Sequence, residues 1–111
     1  MDVDLKTRWV EALRSGKYKQ GVGYLRTIDE QFCCLGVLAD INNEKWQKRK
    51  NEDCYFIVDS TDKMFPEKKG ALGPKYDNFI STTARSRLML MNDMGGSGFL
   101  DIADWIEENV K

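Results

Sequence analysis

Apolar positions recur at helical spacing over residues 4–15, DLKTRWVEALRS, where Leu5, Trp9, Ala12 and Leu13 fall on one face of a 3.6-residue repeat. Asp4 stands where an N-cap would accept the first free amides. Gly16 supplies the left-handed stop that ends many helices. From Val22 to Ile28 the period changes: VGYLRTI carries β-branched and aromatic residues with no helical stripe, so a strand is expected. Asp29 and Glu30 form a polar turn, and Gln31, Phe32 and Cys33 return as the partner strand of a hairpin.

Cys34 to Asn42 reads as a second helix, largely buried, because Leu35, Leu38, Ala39 and Ile41 form an apolar stripe. In it Gly36 lets a neighbour approach closely, and Asn42 and Asn43 serve as stop residues. Residues 43–53, NEKWQKRKNED, are highly charged around Trp46 and read as surface loop. CYFIVDS, residues 54–60, has strand character, and residues 61–80 hold both prolines and read as irregular connection. Helical spacing resumes over 81–92, with Ala84, Leu88 and Met91 on one face, and MGGSG breaks it. Ser97 is placed to cap a last helix whose stripe is Phe99, Ile102, Ala103, Ile106 and Val110, with Asp101 and Lys111 suited to its dipole. The expected fold class is α+β, a small single domain over residues 1–111. Its order is an N-terminal helix, a β-hairpin, a buried helix, one or two further strands and a C-terminal helical hairpin.

Charge narrows the partners. Seventeen basic and eighteen acidic residues leave a net charge of −1 with the signs interspersed. A general nucleic-acid binder needs a broad excess of Lys and Arg over the phosphates, so no DNA partner is expected. The opening MDVDLKTRW lacks the apolar core of a secretion signal, and no apolar run approaches the roughly 20 residues of a membrane span. A cytoplasmic location without membrane contact follows as the expectation.

The three cysteines, Cys33, Cys34 and Cys54, are an odd count with an adjacent pair, which suits buried free thiols in a reducing compartment better than disulfides. Histidine is absent and three thiolates do not complete a zinc site, so neither metal nor cofactor is expected. Without histidine, a Ser or Cys nucleophile would need a Lys or carboxylate base, and no spacing supplies one. The chain is not expected to be an enzyme.

One segment gathers candidate chemistry. In KYKQGVGYLR, residues 17–26, glycines at 21 and 23 leave backbone amides free to face an anion, and Arg14, Lys17, Lys19 and Arg26 bring positive charge. Gln20 lies among them, and Tyr18, Tyr24 or the more distant Trp46 offers a ring for stacking on a base. No strand is expected before this loop and no helix N-terminus after it, so it is neither a Walker loop nor a dinucleotide fingerprint. Two readings stay open: a solvated turn with a basic rim, and a ligand site comprising Arg14, Lys17, Lys19, Gln20, Gly21, Gly23, Tyr24, Arg26 and Trp46. Asn92, Asp93, Asp101 and Asp104 lack the spacing of a calcium loop, and capping and a turn account for the first two. The last 21 residues before Asn109 resemble two helices of a helix-turn-helix, but the acidic final helix would repel DNA.

RWVEALRSGKYKQGVGYLR at 8–26, QFCCLGVLADI at 31–41 and MNDMGGSGFLDIADWIEE at 91–108 resemble a group of small proteins encoded by tailed phages. That group shares a W-V-x-A-L-R-S-G-x-Y-x-Q-G opening, an F-C-C-L-G-V-L element and an N-D…F-x-x-I-A-D-x-I-E ending. The resemblance covers both ends of the chain, leaves 43–80 unmatched and carries no catalytic residue across. It implies a phage accessory protein of the kind that blunts host defence inside the infected cell. On that expectation the chain, as a homo-oligomer, sequesters a nucleotide-derived immune signal. The alternative is a protein-binding inhibitor that occludes a host defence protein through Trp46 to Phe65 or through the acidic last helix.

Overall fold

The computed structural model describes residues 3–21, 25–48, 54–58, 79–93 and 96–110. Among them four helices and a five-stranded sheet build the expected α+β domain. Helix α1 spans Val3–Arg14 and buries Leu5, Trp9, Val10 and Leu13 on one side. It starts one residue before Asp4, so that carboxylate sits in the first turn, where the helix dipole still favours it, and is not the N-cap. Gly16 takes φ +77° and turns the chain out of the helix, as its position demands.

Two-residue strands follow: β1 at Lys19–Gln20, β2 at Arg26–Thr27 and β3 at Gln31–Phe32. Strand β4 covers Lys45–Lys48 and β5 covers Cys54–Val58, and the sheet order is β1-β3-β2-β5-β4. Only the β1–β3 pair is parallel; β2 pairs antiparallel with β3 and β5, and β4 with β5.

Two of these strands correct the sequence reading. Lys19–Gln20 forms a strand where none is expected, because the Gly21 N–H donates to the Phe32 carbonyl at 2.8 Å and draws the segment alongside β3. Lys45–Lys48 is a strand rather than loop: an edge strand needs one paired side and tolerates charges on its solvated face, so a single ring, Trp46, suffices as its apolar anchor. Cys33 leaves the hairpin and becomes the N-cap of α2, Cys34–Ile41, its sulfur accepting from the Gly36 amide at 3.4 Å. The expected strand segment at 22–24, the last two residues of the expected strand over 54–60, and positions 61–78 of the irregular connection expected over 61–80 lie outside the described residues.

Helix α2 is apolar nearly all round, and six of its eight residues, Cys34 through Ala39, are buried. Such a helix belongs in the middle of a fold. It packs against α1, β3 and helix α3, Thr82–Asp93, while helix α4, Phe99–Asn109, packs against α1 and α3. Leu88 of α3 and Phe99, Ile102, Ala103 and Ile106 of α4 complete the core. Gly98, not Ser97, is the N-cap of α4 and makes no side-chain cap bond. No helix among the described residues is long and apolar enough to cross a membrane.

Gly36 sets how closely α2 meets the hairpin. A Cβ there would lie 1.8 Å from the Leu25 carbonyl oxygen, which is backbone and cannot swing aside. Gly36→Ala therefore forces the helix and strand apart and is expected to lower the unfolding free energy by about 3 kcal/mol or more, as overpacked cores do. Urea unfolding of the variant measures this, and a loss under about 1 kcal/mol would contradict the contact.

Candidate functional site

Each strand contributes a residue, or in one case its immediate flank, to a row across the sheet. Tyr18 stands just before β1, followed in sheet order by Phe32 of β3, Arg26 of β2, Tyr55 of β5 and Trp46 of β4. The register produces this row. Arg26 faces Phe32 on one side and Tyr55 on the other, and Trp46 lies two residues along β4 from the partner of Tyr55. Period-two alternation then puts them on one side of the sheet.

The Arg26 guanidinium carbon lies 4.3 Å from the Tyr55 ring centroid, 5.4 Å from Phe32 and 5.5 Å from Trp46. These distances fall within cation–π range. Tyr18 meets Phe32 edge-on at 5.0 Å, and Phe32 meets Trp46 at 6.2 Å. Asp40, in the last turn of α2, holds the outer rings: it accepts from the Tyr18 hydroxyl at 2.6 Å and from the Trp46 indole N–H at 3.1 Å. Burial first, and then the bond to Asp40, push the Tyr18 hydroxyl well above the usual phenol range, so it remains a donor at neutral pH.

The side chain of Arg26 is 18% exposed, and its ion partner is Glu30 at 2.6 Å. Its Nε is buried and makes no hydrogen bond to any described residue. A buried donor atom left without a hydrogen bond costs about 1–3 kcal/mol and is uncommon in folded proteins.

The other candidate positions are dispersed. Arg14 binds Asp104 at 2.5 Å and also Glu107, tying α1 to α4; the bonds to Asp104 and then Glu107 raise its pKa further. Beside it lies an open groove of about 320 Å³ lined by Lys6, Thr7, Val10, Glu11, Arg14 and Glu107. Its cations already have partners, since Lys6 donates to the Glu107 carbonyl at 3.2 Å. Lys17 and Lys19 are exposed on either side of Tyr18. The Gly21 amide is engaged by Phe32 and does not face a ligand. Gly23 and Tyr24 lie outside the described residues. Of the nine positions, the structure brings Arg26 and Trp46 together.

Gln20 has a different task from the one its neighbours suggested. Its amide donates to Asn92 Oδ1 at 3.0 Å and to the Ser97 carbonyl at 2.9 Å. Asn92, buried at 4% exposure within α3, donates in turn to the Gly21 carbonyl and to Asp93 Oδ1, both at 2.8 Å. Asn92 is thus a clamp and not a cap. Cys33 and Cys34 are buried free thiols. Burial pushes Cys33 up to about 12 and Cys34 well above the ordinary thiol range, which keeps both protonated and unreactive.

Tyr18, Phe32, Asp40 and Tyr55 complete the site around Arg26 but carry no local motif. Phe32 and Tyr55 are signalled only as aromatic residues in strands, Tyr18 as a ring beside the basic loop, and Asp40 by its place in the last turn of α2.

Two outcomes follow from these contacts. Removing both functions of Asn92 with Asn92→Ala should cost about 2 kcal/mol of stability. Gln20→Ala should add little on the Asn92→Ala background, an interaction a double-mutant cycle by urea unfolding detects. Because the folded Cys33 pKa lies above its unfolded value near 9, stability is intact below pH 9 and falls as pH climbs toward 12. From pH 8 to 10.5 the unfolding free energy should drop by about 2 kcal/mol on account of this thiol, and Cys33→Ala should reduce the slope while leaving the part that Cys34 contributes.

No curated protein and no solved structure matches the chain. A family model described as a domain of unknown function (DUF8296) matches residues 1–110. With all but the last of its 111 residues inside that match, the chain belongs to the DUF8296 family.

Proposed function

We propose that this chain is a small binding protein for an anionic, nucleotide-like molecule, held on the aromatic row of the sheet. The observation that carries the reading is Arg26: a guanidinium among three ring faces, with a buried Nε that makes no bond to any described residue. A phosphate supplies charge-assisted acceptors for such a group, and Trp46 and Tyr55 supply π-faces for a base. Exposed Lys17 and Lys19, flanking Tyr18, add positive charge at the sheet edge. In the phage-infected cell that the sequence resemblance implies, such a protein sequesters a nucleotide-derived immune signal and releases it intact on denaturation.

A second reading has its own observation. Asp101, Asp104, Glu107 and Glu108 are all exposed on α4, beside Leu100 at 63% exposure, a surface able to occlude a host protein that ordinarily meets an acidic partner. Pull-down from host lysate separates the two: a stoichiometric protein that still binds after Arg26→Ala favours occlusion.

A thermal-shift screen with cyclic dinucleotides and ADP-ribose tests the binding reading. Ligand at 100 times its dissociation constant should stabilise the protein by about 2.7 kcal/mol. Arg26→Ala and Trp46→Ala should each weaken binding at least tenfold. Stabilisation that survives Arg26→Ala unchanged would remove the sheet face from consideration.

A further inference from the structure

The β2–β3 hairpin is closed by Ile28, Asp29 and Glu30, with the Glu30 amide bonded to the Thr27 carbonyl at 3.0 Å and the Gln31 amide to Thr27 Oγ1 at 3.1 Å. Three-residue hairpin loops of this kind place their last residue in the left-handed region and favour glycine there. Here that residue is Glu30, at φ +61°. The left-handed conformation disfavours a side chain through its Cβ, and nothing in the turn's own hydrogen bonds needs a carboxylate.

What the glutamate does contribute is its reach. From this position Glu30 Oε1 lies 2.6 Å from the Arg26 guanidinium. The two ends of the pair differ sharply: Glu30 is 67% exposed while Arg26 is 18% exposed. The carboxylate is therefore hydrated and easily withdrawn, whereas the guanidinium is fixed by the rings of Phe32, Trp46 and Tyr55. A bond between an exposed carboxylate and a held arginine contributes little to stability, and an oxyanion with more acceptors outcompetes it.

We infer that Glu30 is a built-in placeholder, its carboxylate standing on Arg26 where the anionic group of the ligand binds and leaving when that group arrives. The inference rests on the binding reading given above. It assigns a regulatory role within that site: the resident carboxylate raises the threshold for weak or singly charged anions, so that a multiply charged phosphate ligand is preferred over carboxylate metabolites. Release needs only a side-chain rotation, because the hairpin is closed by backbone bonds and by Thr27.

Calorimetric titration of ADP-ribose and of a cyclic dinucleotide into the wild-type protein, Glu30→Gln, Glu30→Gly and Arg26→Ala tests this. Glu30→Gln keeps the backbone strain and removes the charge; Glu30→Gly removes both. Both are expected to fold, to bind the ligand at least threefold tighter than wild type, and to lose that gain when combined with Arg26→Ala. The Glu30→Gly melting temperature should also be at or above that of wild type. Wild-type binding with equal or weaker binding by Glu30→Gln overturns the placeholder and leaves the binding reading intact. Absence of binding by both wild type and Glu30→Gln overturns the binding reading, and the placeholder with it.

Discussion

Everything in this fold is arranged around a helix with almost no outside. The eight residues of α2 bury six, and α1, α3 and β3 all pack against it. At Gly36 the helix meets the backbone of Leu25 without a side chain between them. The Cys33 amide donates to that same Leu25 carbonyl at 3.2 Å, and the Trp9 indole donates to the Cys34 carbonyl at 2.9 Å. The start of α2 is thereby fixed to the sheet on one side and to α1 on the other. A helix start leaves its first amides without partners inside the helix, and here the Gly36 amide finds one in Cys33 Sγ at 3.4 Å.

The other end of the same helix positions the candidate site. Asp40 is held in place by α2, and from there it sets the rings of Tyr18 and Trp46. Those rings flank Phe32, which with Trp46 and Tyr55 surrounds Arg26. The rigidity of an apolar helix is passed to a polar surface through one carboxylate with two donors on it. That division suits a binding protein, since the groups that meet a ligand must be held by groups that do not.

How much of this is readable in the chain depends on range. Helices α1 and α4 carry strong 3.6-residue stripes, Leu5-Trp9-Leu13 and Phe99-Ile102-Ile106, and the sequence places both. The hairpin turn at Asp29 and Glu30 and the stop at Gly16 are local chemistry and are equally plain. Strand β1 is not, because Lys19 and Gln20 have no strand character; their partner, β3, makes them one. Trp46 lies in a run of charges and becomes strand only through β5. The site fared alike. Arg26 and Trp46 were visible as a cation and a ring, whereas Tyr55 and Asp40 join them through register and helix phase, which no single window of sequence contains. The glycines of the basic loop suggest backbone amides free for an anion, but Gly21 serves close packing: a Cβ there would sit 2.7 Å from that of Gln31.

The clamp joining Gln20 to Asn92 and Ser97 spans 72 and 77 positions of sequence. Contacts of such separation form only after the intervening loop has closed, and its entropy opposes them until then. Strand β1 has two residues and sits at the sheet edge, so it has little else to hold it. On the ribosome the Gln20 side chain must wait for its partners until Ser97 has left the exit tunnel. Lys19 and Gln20 can meet β3 early, but Gln20 completes its side-chain bonds only after Asn92 and Ser97 have been made.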